Sequence, residues 1–272
     1  MLVQGILYTA ELRVNRNKNM TKNLRGAEKD GIEKSVWPRD NCFEDGCYSL
    51  KFLDSSHLEE VIQLQEIIAM NLPDKEIFKL TTVREFQEIL GRRESVIGIH
   101  SNGSLIAYNI VSIPGKDDDN FGADIGISSE DLCKVAHLKA VVVHPEFRGF
   151  GLQRKLATIH LKALRDAGFE HVCSTVSPKN CISVKNHLAS GFVIRGLKVK
   201  YGGWLRYIMY KNVCKVSHPL NKSVAEVESV GSSDLERQKD LLYRGFVGYE
   251  MTRCNNTSDG DYNINFRLAD FY

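Results

Sequence analysis

No run of apolar residues in this chain approaches the ~18 needed to cross a bilayer, so a membrane-spanning role is not expected. Cysteine is sparse and irregular: seven residues, at 42, 47, 133, 173, 181, 214 and 254, with no C-x-x-C pair. An odd, scattered set fits free thiols in a reducing compartment better than a disulfide framework, which points to the cytoplasm. Charge of one sign is not in excess, since 36 Lys and Arg face 34 Asp and Glu for a net +2. No basic stripe stands out, and a nucleic-acid partner is therefore not expected. The opening MLVQGILYTAELR has no basic leading region and no small-residue cleavage site, so it is a poor signal peptide. Also missing are H-E-x-x-H, any Ser/His/Asp spacing, and the Gly-Lys-Ser/Thr of a P-loop. No metal is expected.

What remains is an ordinary globular composition, 43% hydrophobic and 26% charged, long enough for one substantial domain with extensions. Residues 1–45 run polar and basic after a short apolar patch and read as an N-terminal extension, partly disordered. Patterned sequence begins with the strand-like YSLKFL. A helix capped by Ser55 or Ser56 carries Leu58, Val61, Ile62 and Ile68, and Leu72-Pro73 closes it. Thr81 or Thr82, with Glu85 placed to reciprocate, caps a second helix presenting Val83, Phe86 and Leu90. Asn102-Gly103 between SVIGIH and SLIAYNIVSI predicts a hairpin. The segment 115–126 reads as a loop, whose aspartates 117–119 would be solvated or would attract a cationic acceptor. CKVAHLKAVVV (133–143) is a strand, pairing antiparallel with 104–113.

From Gly151 the period becomes helical and stops at Gly168. HVCSTVS is a strand, Asn180 to Ser190 a short helix, and Gly191-Phe192 opens another strand before LRYIMYKNV. Residues 133–177 form one strand–helix–strand crossover, which should be parallel and right-handed. The expected fold is α/β: a mixed, mostly antiparallel sheet around that crossover, with helices on both faces. The domain spans 46–213. Residues 214–272 read as a small appended α+β unit of strand, helix and two strands. Gly245-Phe246 echoes Gly191-Phe192, but the echo alone is too short to make a repeat.

The chemistry concentrates in Val141-Val142-Val143-His144-Pro145-Glu146-Phe147-Arg148-Gly149-Phe150-Gly151-Leu152-Gln153. Two glycines let the backbone approach a ligand closely. The turn opens a helix whose first amides lack intrahelical partners and whose dipole favours an anion. Arg148 and Arg154 add positive field or lie in solvent. The stretch resembles motif A of the GNAT superfamily of N-acetyltransferases, R/Q-x-x-G-x-G/A, with Gln153 standing where that pattern has Gly or Ala. Asn180-x-x-Ser183 followed by Gly191-Phe192 resembles the superfamily's N-x-x-A/S…G-F segment. The resemblance covers roughly 47–213 and explains neither extension.

The resemblance implies a GNAT-like fold and acetyl-CoA as co-substrate. The backbone of Val141, Val142 and Val143 would run beside the pantetheine arm. The amides of Gly149, Phe150, Gly151, Leu152 and Gln153 would hold the pyrophosphate, and Asn180 with Ser183 would meet the pantetheine or thioester end. Asn180 can cap a helix as well. An alkyl amine of pKa near 10.4 must lose a proton before it attacks. His137 falls near the superfamily's base position, with Glu130 and Asp131 as fallbacks; its plain alternative is a half-exposed strand residue. His187 occupies the position where many members place an acidic Tyr, and it could equally be a packed helix residue. Cys173 and Cys181 flank the region, but direct attack in a ternary complex needs no acyl-enzyme.

The activity expected is transfer of an acetyl group from acetyl-CoA to a primary amine of a small molecule. The alternatives are acetylation of a protein or peptide amine, and a non-catalytic CoA-binding or interaction module. A homodimer is compatible with the sequence.

Overall fold

A computed structural model describes residues 48–92, 95–116, 119–215, 227–253 and 262–269. The expectations for 1–45, for Asp117 and Asp118, and for the start of the 223–230 strand lie outside these residues. Ten strands form one continuous sheet: β1 (Tyr48–Phe52), β2 (Val96–Ser101), β3 (Ser104–Ser112), β4 (Val135–Val143), β5 (His171–Val176), β6 (Val193–Lys200), β7 (Trp204–Asn212), β8 (Val227–Gly231), β9 (Phe246–Arg253) and β10 (Tyr262–Leu268). Their spatial order is β1-β2-β3-β4-β5-β7-β6-β9-β10-β8. Every neighbouring pair is antiparallel except β4 and β5.

Local signals set several of these elements. Asn102 and Gly103 both take positive φ, 49° and 81°, as a two-residue hairpin between right-twisted strands requires. Helix α2 (Val83–Leu90) starts at a reciprocal capping box in which Thr82 accepts from the Glu85 amide and Glu85 accepts from the Thr82 amide. Helix α1 (Leu58–Met70) departs from expectation. Asp54, not Ser55 or Ser56, provides the cap, and it caps a short 3₁₀ turn over 55–57 that leads into the helix. A carboxylate outcompetes the neighbouring hydroxyls for those amides.

The two faces of the sheet are covered by different elements. Val61, Leu64 and Ile68 of α1 and Phe86 and Leu90 of α2 pack on Tyr108, Ile110, Ala140 and Val142. Phe86 is fully buried, and truncating it to Ala should cost about 3–5 kcal/mol. On the other face lie α3 (Leu152–Asp166) and α4 (Cys181–Ala189). Leu161, Leu164, Val184 and Leu188 pack there over Leu138, Val172, Val176, Tyr207 and Met209. Helix α5 (Leu235–Tyr243) joins the same face: Leu241, Phe246, Ile264 and Phe266 belong to the same buried cluster. The segment after 214 thus continues the sheet and shares its core, because β9 pairs with β6 at Ile194 and Gly248.

The loop after β3 is not merely solvated. Phe121 and Leu132 pack on Val135, Cys173 and Ile208, and Asp119 and Asp124 both bind Lys200, each at 2.6 Å.

Candidate active site

Strands β4 and β5 run together for only three pairs, Val135 with His171, Ala136 with Val172 and His137 with Cys173. Beyond Cys173 they part. A β-bulge in β4, between its pairings with Ile110 and Val111, bends the strand at Lys139. The inner backbone edge of Leu138 to Val143 therefore faces a gap rather than a ladder. One side chain bridges its narrow end: the buried Ser174 hydroxyl donates to the Leu138 carbonyl at 2.8 Å.

At the wide end β4 runs into the glycine turn. Gly149 and Gly151 have φ of 88° and 74°, where a side chain is strained. A Cβ on Gly149 would meet nothing within 4 Å, so the space in front of the turn is open. Gly151 stands at the N-cap of α3, and no side chain caps the helix. The first intrahelical bond runs from the Lys155 amide to Gly151. That leaves the amides of Leu152, Gln153 and Arg154 for an anion, with the helix dipole behind them. Arg148 and Arg154 are exposed beside them. Phe150 on the turn and Ile182 on the first turn of α4 are 69% and 76% exposed.

The second sequence segment borders the same gap. Asn180 caps α4, its side-chain oxygen accepting from the Ser183 amide at 3.0 Å. Gln153 turns sideways, accepting from the Asn186 side-chain amide at 2.7 Å. It stitches α3 to α4 and leaves its own backbone amide at the helix start.

The two histidines sit differently from the roles expected of them. His137 is 4% exposed; its ring stacks on Phe121 at 4.0 Å between centroids. Its Nε2 accepts from the Phe121 amide at 3.1 Å. Burial pushes its pKa down to about 3, with Lys139 and Lys200 adding to the effect against Asp119. A ring held neutral, with that nitrogen occupied, is a weak base at neutral pH. His187 is fully inside α4, Nδ1 donating to the Ser183 carbonyl at 2.8 Å, and its ring meets Phe192 edge-on. Burial lowers its pKa as well, so its proton is spent within the helix. The fallback pair lies at the wrong end: Glu130 and Asp131 precede β4, where β4 and β5 are still paired. Cys173 is buried and its thiol is pushed up to about 12 by that burial, which leaves it inert.

Lys79, Lys139, Thr175 and Tyr201, which no motif marks, join the capping residue Glu85 in a belt across the mouth of the gap on the α1–α2 side. From β4, Lys139 reaches Glu85 Oε1 at 3.5 Å. Lys79 binds the same oxygen at 3.0 Å, and its ammonium lies 5.6 Å from the Tyr201 ring centre. Tyr201 closes the belt onto β5, its hydroxyl 2.8 Å from the Thr175 hydroxyl. Partial burial works against ionised Glu85, but the Thr82 amide and the two lysines hold its pKa near about 2. Burial raises the Tyr201 pKa. Tyr201 also takes a left-handed φ of 53°, costly for a bulky residue and found most often at functional positions. Beneath the belt, buried Arg206 lies 5.0 Å from the Trp204 ring centre and donates to the Glu76 carbonyl. Only Tyr201-Gly202-Gly203-Trp204 advertised any of this in the sequence, as a glycine turn flanked by aromatics.

Among the described residues no group of three or more His, Cys, Asp or Glu is placed to hold a metal ion, and no helix is long and apolar enough to cross a membrane. An open strand gap leads from β4 to a glycine turn and a helix start that no side chain caps. Residues 63–192 match the acetyltransferase (GNAT) family model. Solved structures similar to the chain include a GNAT-family acetyltransferase from Streptococcus pneumoniae, at 16% identity over 61% of this chain and 98% of that one, TM-score 0.48. Another is the PaiA N-acetyltransferase of Thermoplasma acidophilum in complex with coenzyme A, at 15% identity over 61% and 98%, TM-score 0.45. A third is the ribosomal-protein-S18-alanine N-acetyltransferase of Escherichia coli, at 16% over 64% and 98%, TM-score 0.44. No curated protein matches the sequence.

Proposed function

We propose that the chain is an acetyl-CoA-dependent N-acetyltransferase acting on a primary amine of a small molecule. The observation that carries this reading is the gap between β4 and β5 opening directly onto the amides of residues 149–154. The pyrophosphate would sit on those amides and the pantetheine arm would fill the gap. Three or four charge-assisted bonds of roughly 1.5–3 kcal/mol each suffice for a micromolar ligand. Phe150 and Ile182 would lose their exposure against the cofactor. The backbone edge of β4 would polarise the thioester carbonyl and stabilise the tetrahedral oxyanion.

The acceptor enters through the belt, whose bounded opening suits a small molecule better than a folded protein. Its amine attacks the thioester carbonyl, the C–N bond forms, and the C–S bond breaks with the pair leaving on sulfur. The ammonium form must first lose a proton, at about 4–5 kcal/mol for a pKa near 10.4. Lys79 and Lys139 share a single carboxylate, Glu85, so the mouth holds a net positive charge. One unit charge at ~6 Å with an effective dielectric near 20 is worth about 2–3 kcal/mol. That field offsets roughly half of the deprotonation cost, as a neighbouring cation activates an amine elsewhere. Water carries the proton away. His137 then serves as a neutral wall of the site, and the thiolate, with pKa near 8.5, needs little acid help.

The test is a thiol-release assay with acetyl-CoA and a panel of small amines and peptides, run beside a thermal melt. Release with a small amine supports the proposal. Release only with peptides supports the protein-acetylating reading. A melt shift without release leaves a CoA-binding module, and no shift at saturating acetyl-CoA removes all three.

A further inference from the structure

The echo of Gly191-Phe192 in Gly245-Phe246 extends through four elements, the first three at a spacing of 54 residues and the last, β7 against β10, at 57. Fifty-four residues separate Asn180 from Asp234, Gly191 from Gly245, and Phe192 from Phe246. Helices α4 and α5 stand at the same spacing end to end, Cys181–Ala189 and Leu235–Tyr243. Asn180 caps α4 by accepting from the amide three residues on, and Asp234 caps α5 in the same way. Several backbone bonds entering and leaving the helices match. Asn180 donates to Ser177 as Asp234 does to Gly231, and Gly191 to Leu188 as Gly245 to Leu242. Both glycines are left-handed, at 81° and 89°.

The strands agree in register. Ser174 pairs with Met209 and Val176 with Tyr207; the matching pairs are Glu228 with Phe266 and Val230 with Ile264. In β6 the pairing with β7 skips Arg195, and in β9 the pairing with β10 skips Tyr249, its counterpart. A shared bulge in the same place is not a property of helices and strands in general, because bulges are local insertions fixed by their own history. The two segments meet where β6 pairs with β9, at Ile194 and Gly248. These two residues are each other's counterparts, so a pseudo-twofold axis passes between them. Past that pair the strands diverge and leave a cavity of about 360 Å³ beside Arg195, Leu197, Lys239 and Phe246. The segments are also knit by a buried bond, Tyr207 donating to Gln238 at 2.6 Å.

We infer that β8–α5–β9–β10 is a second copy of the arm β5–α4–β6–β7. It docks on the first copy as the arm of a second subunit would in an isologous dimer. The chain thus carries its own partner: the start of β6, an edge that would otherwise be open to another copy, is met from within at the Ile194–Gly248 pair. Among the described residues the second copy has no counterpart of β4 and the glycine turn beside it, so it contributes an interface and not a second cofactor site. The partner that β6 would fit is another arm of this chain, and the full-length protein is monomeric at that edge.

The experiment exchanges the axial pair in the full chain. A Cβ on Gly248 would stand 3.0 Å from the Ile194 side chain, so G248I alone should lower the melting temperature by roughly 5–10 °C, and I194G by a similar amount. The double variant I194G/G248I places each residue where the axis maps it and should recover at least half of the summed loss. A control exchange off the axis, G98L/L105G, should recover none. If a single variant fails to fold, the double variant still reads the outcome. Additive losses at the axial pair would overturn the inference. Sedimentation of the wild type should give a single species near 30.7 kDa. A dimer whose formation protects the β6 amides from hydrogen exchange would overturn it equally.

Discussion

Two arms of this molecule share one scaffold and differ in what lies beside them. The first, β5–α4–β6–β7, has β4 and its glycine turn as a neighbour, and the strand gap opens between them. The second, β8–α5–β9–β10, has no such neighbour beyond β8 among the described residues. The helix caps, the left-handed glycines and the bulges are alike in both. The contrast separates a frame of helix and strands shared by both arms from the strand–turn–helix that borders only one of them.

Changes that break this asymmetry should rank by how directly they touch the turn. Gly151→Val forces a β-branched side chain to φ 74° and covers the helix amides. Acetyl-CoA affinity should fall about 100-fold or more by calorimetry. Gly245→Val, equally left-handed but in the second arm, should lower the melting temperature and leave that affinity unchanged.

The next effect is in stability against pH. His137 has a pKa of about 3 in the folded chain and near 6.5 unfolded. Between those values only the unfolded state binds the extra proton, so stability is full above pH 6.5 and falls as pH drops toward 3. The loss should reach about 3–5 kcal/mol at the acid end. H137Q keeps an acceptor for the Phe121 amide and should flatten the curve, while retaining most activity at pH 8; a tenfold or greater drop in kcat there would restore His137 as a base.

Smaller effects separate the caps and the belt. Asn180→Ala and Asp234→Ala should each cost about 1 kcal/mol of stability, but only the first should raise KM for acetyl-CoA, by roughly fivefold. Lys139→Gln removes half of the belt's positive charge. The apparent pKa of the bound acceptor in the kcat profile should rise by about one unit, with the acetyl-CoA KM unmoved.

The features legible in the sequence were those made by neighbours along the chain. Asn102-Gly103 announced its hairpin, Thr82 and Glu85 their capping box, and Arg148 to Gly151 the turn, because each depends on a few consecutive residues. The belt was hidden because Lys79, Glu85, Lys139, Thr175 and Tyr201 come from five separate places and carry no spacing rule. His137 was misjudged for the same reason: Phe121, in a loop taken as solvated, folds back to bury it. The second arm escaped notice because its core positions keep size rather than identity. Val184 is matched by Gln238 and His187 by Leu241, so beyond the Gly-Phe pair and the helix caps the match lies in the register of the strands.

The central claim is that the turn at residues 148–153 anchors the pyrophosphate of an acyl-CoA. Isothermal titration of acetyl-CoA into the wild-type chain and into Gly151→Val tests it most directly. The account predicts micromolar binding to the wild type and a loss of at least 100-fold in a variant that melts cooperatively. Equal affinity of the two proteins, or no binding to the wild type, would contradict it.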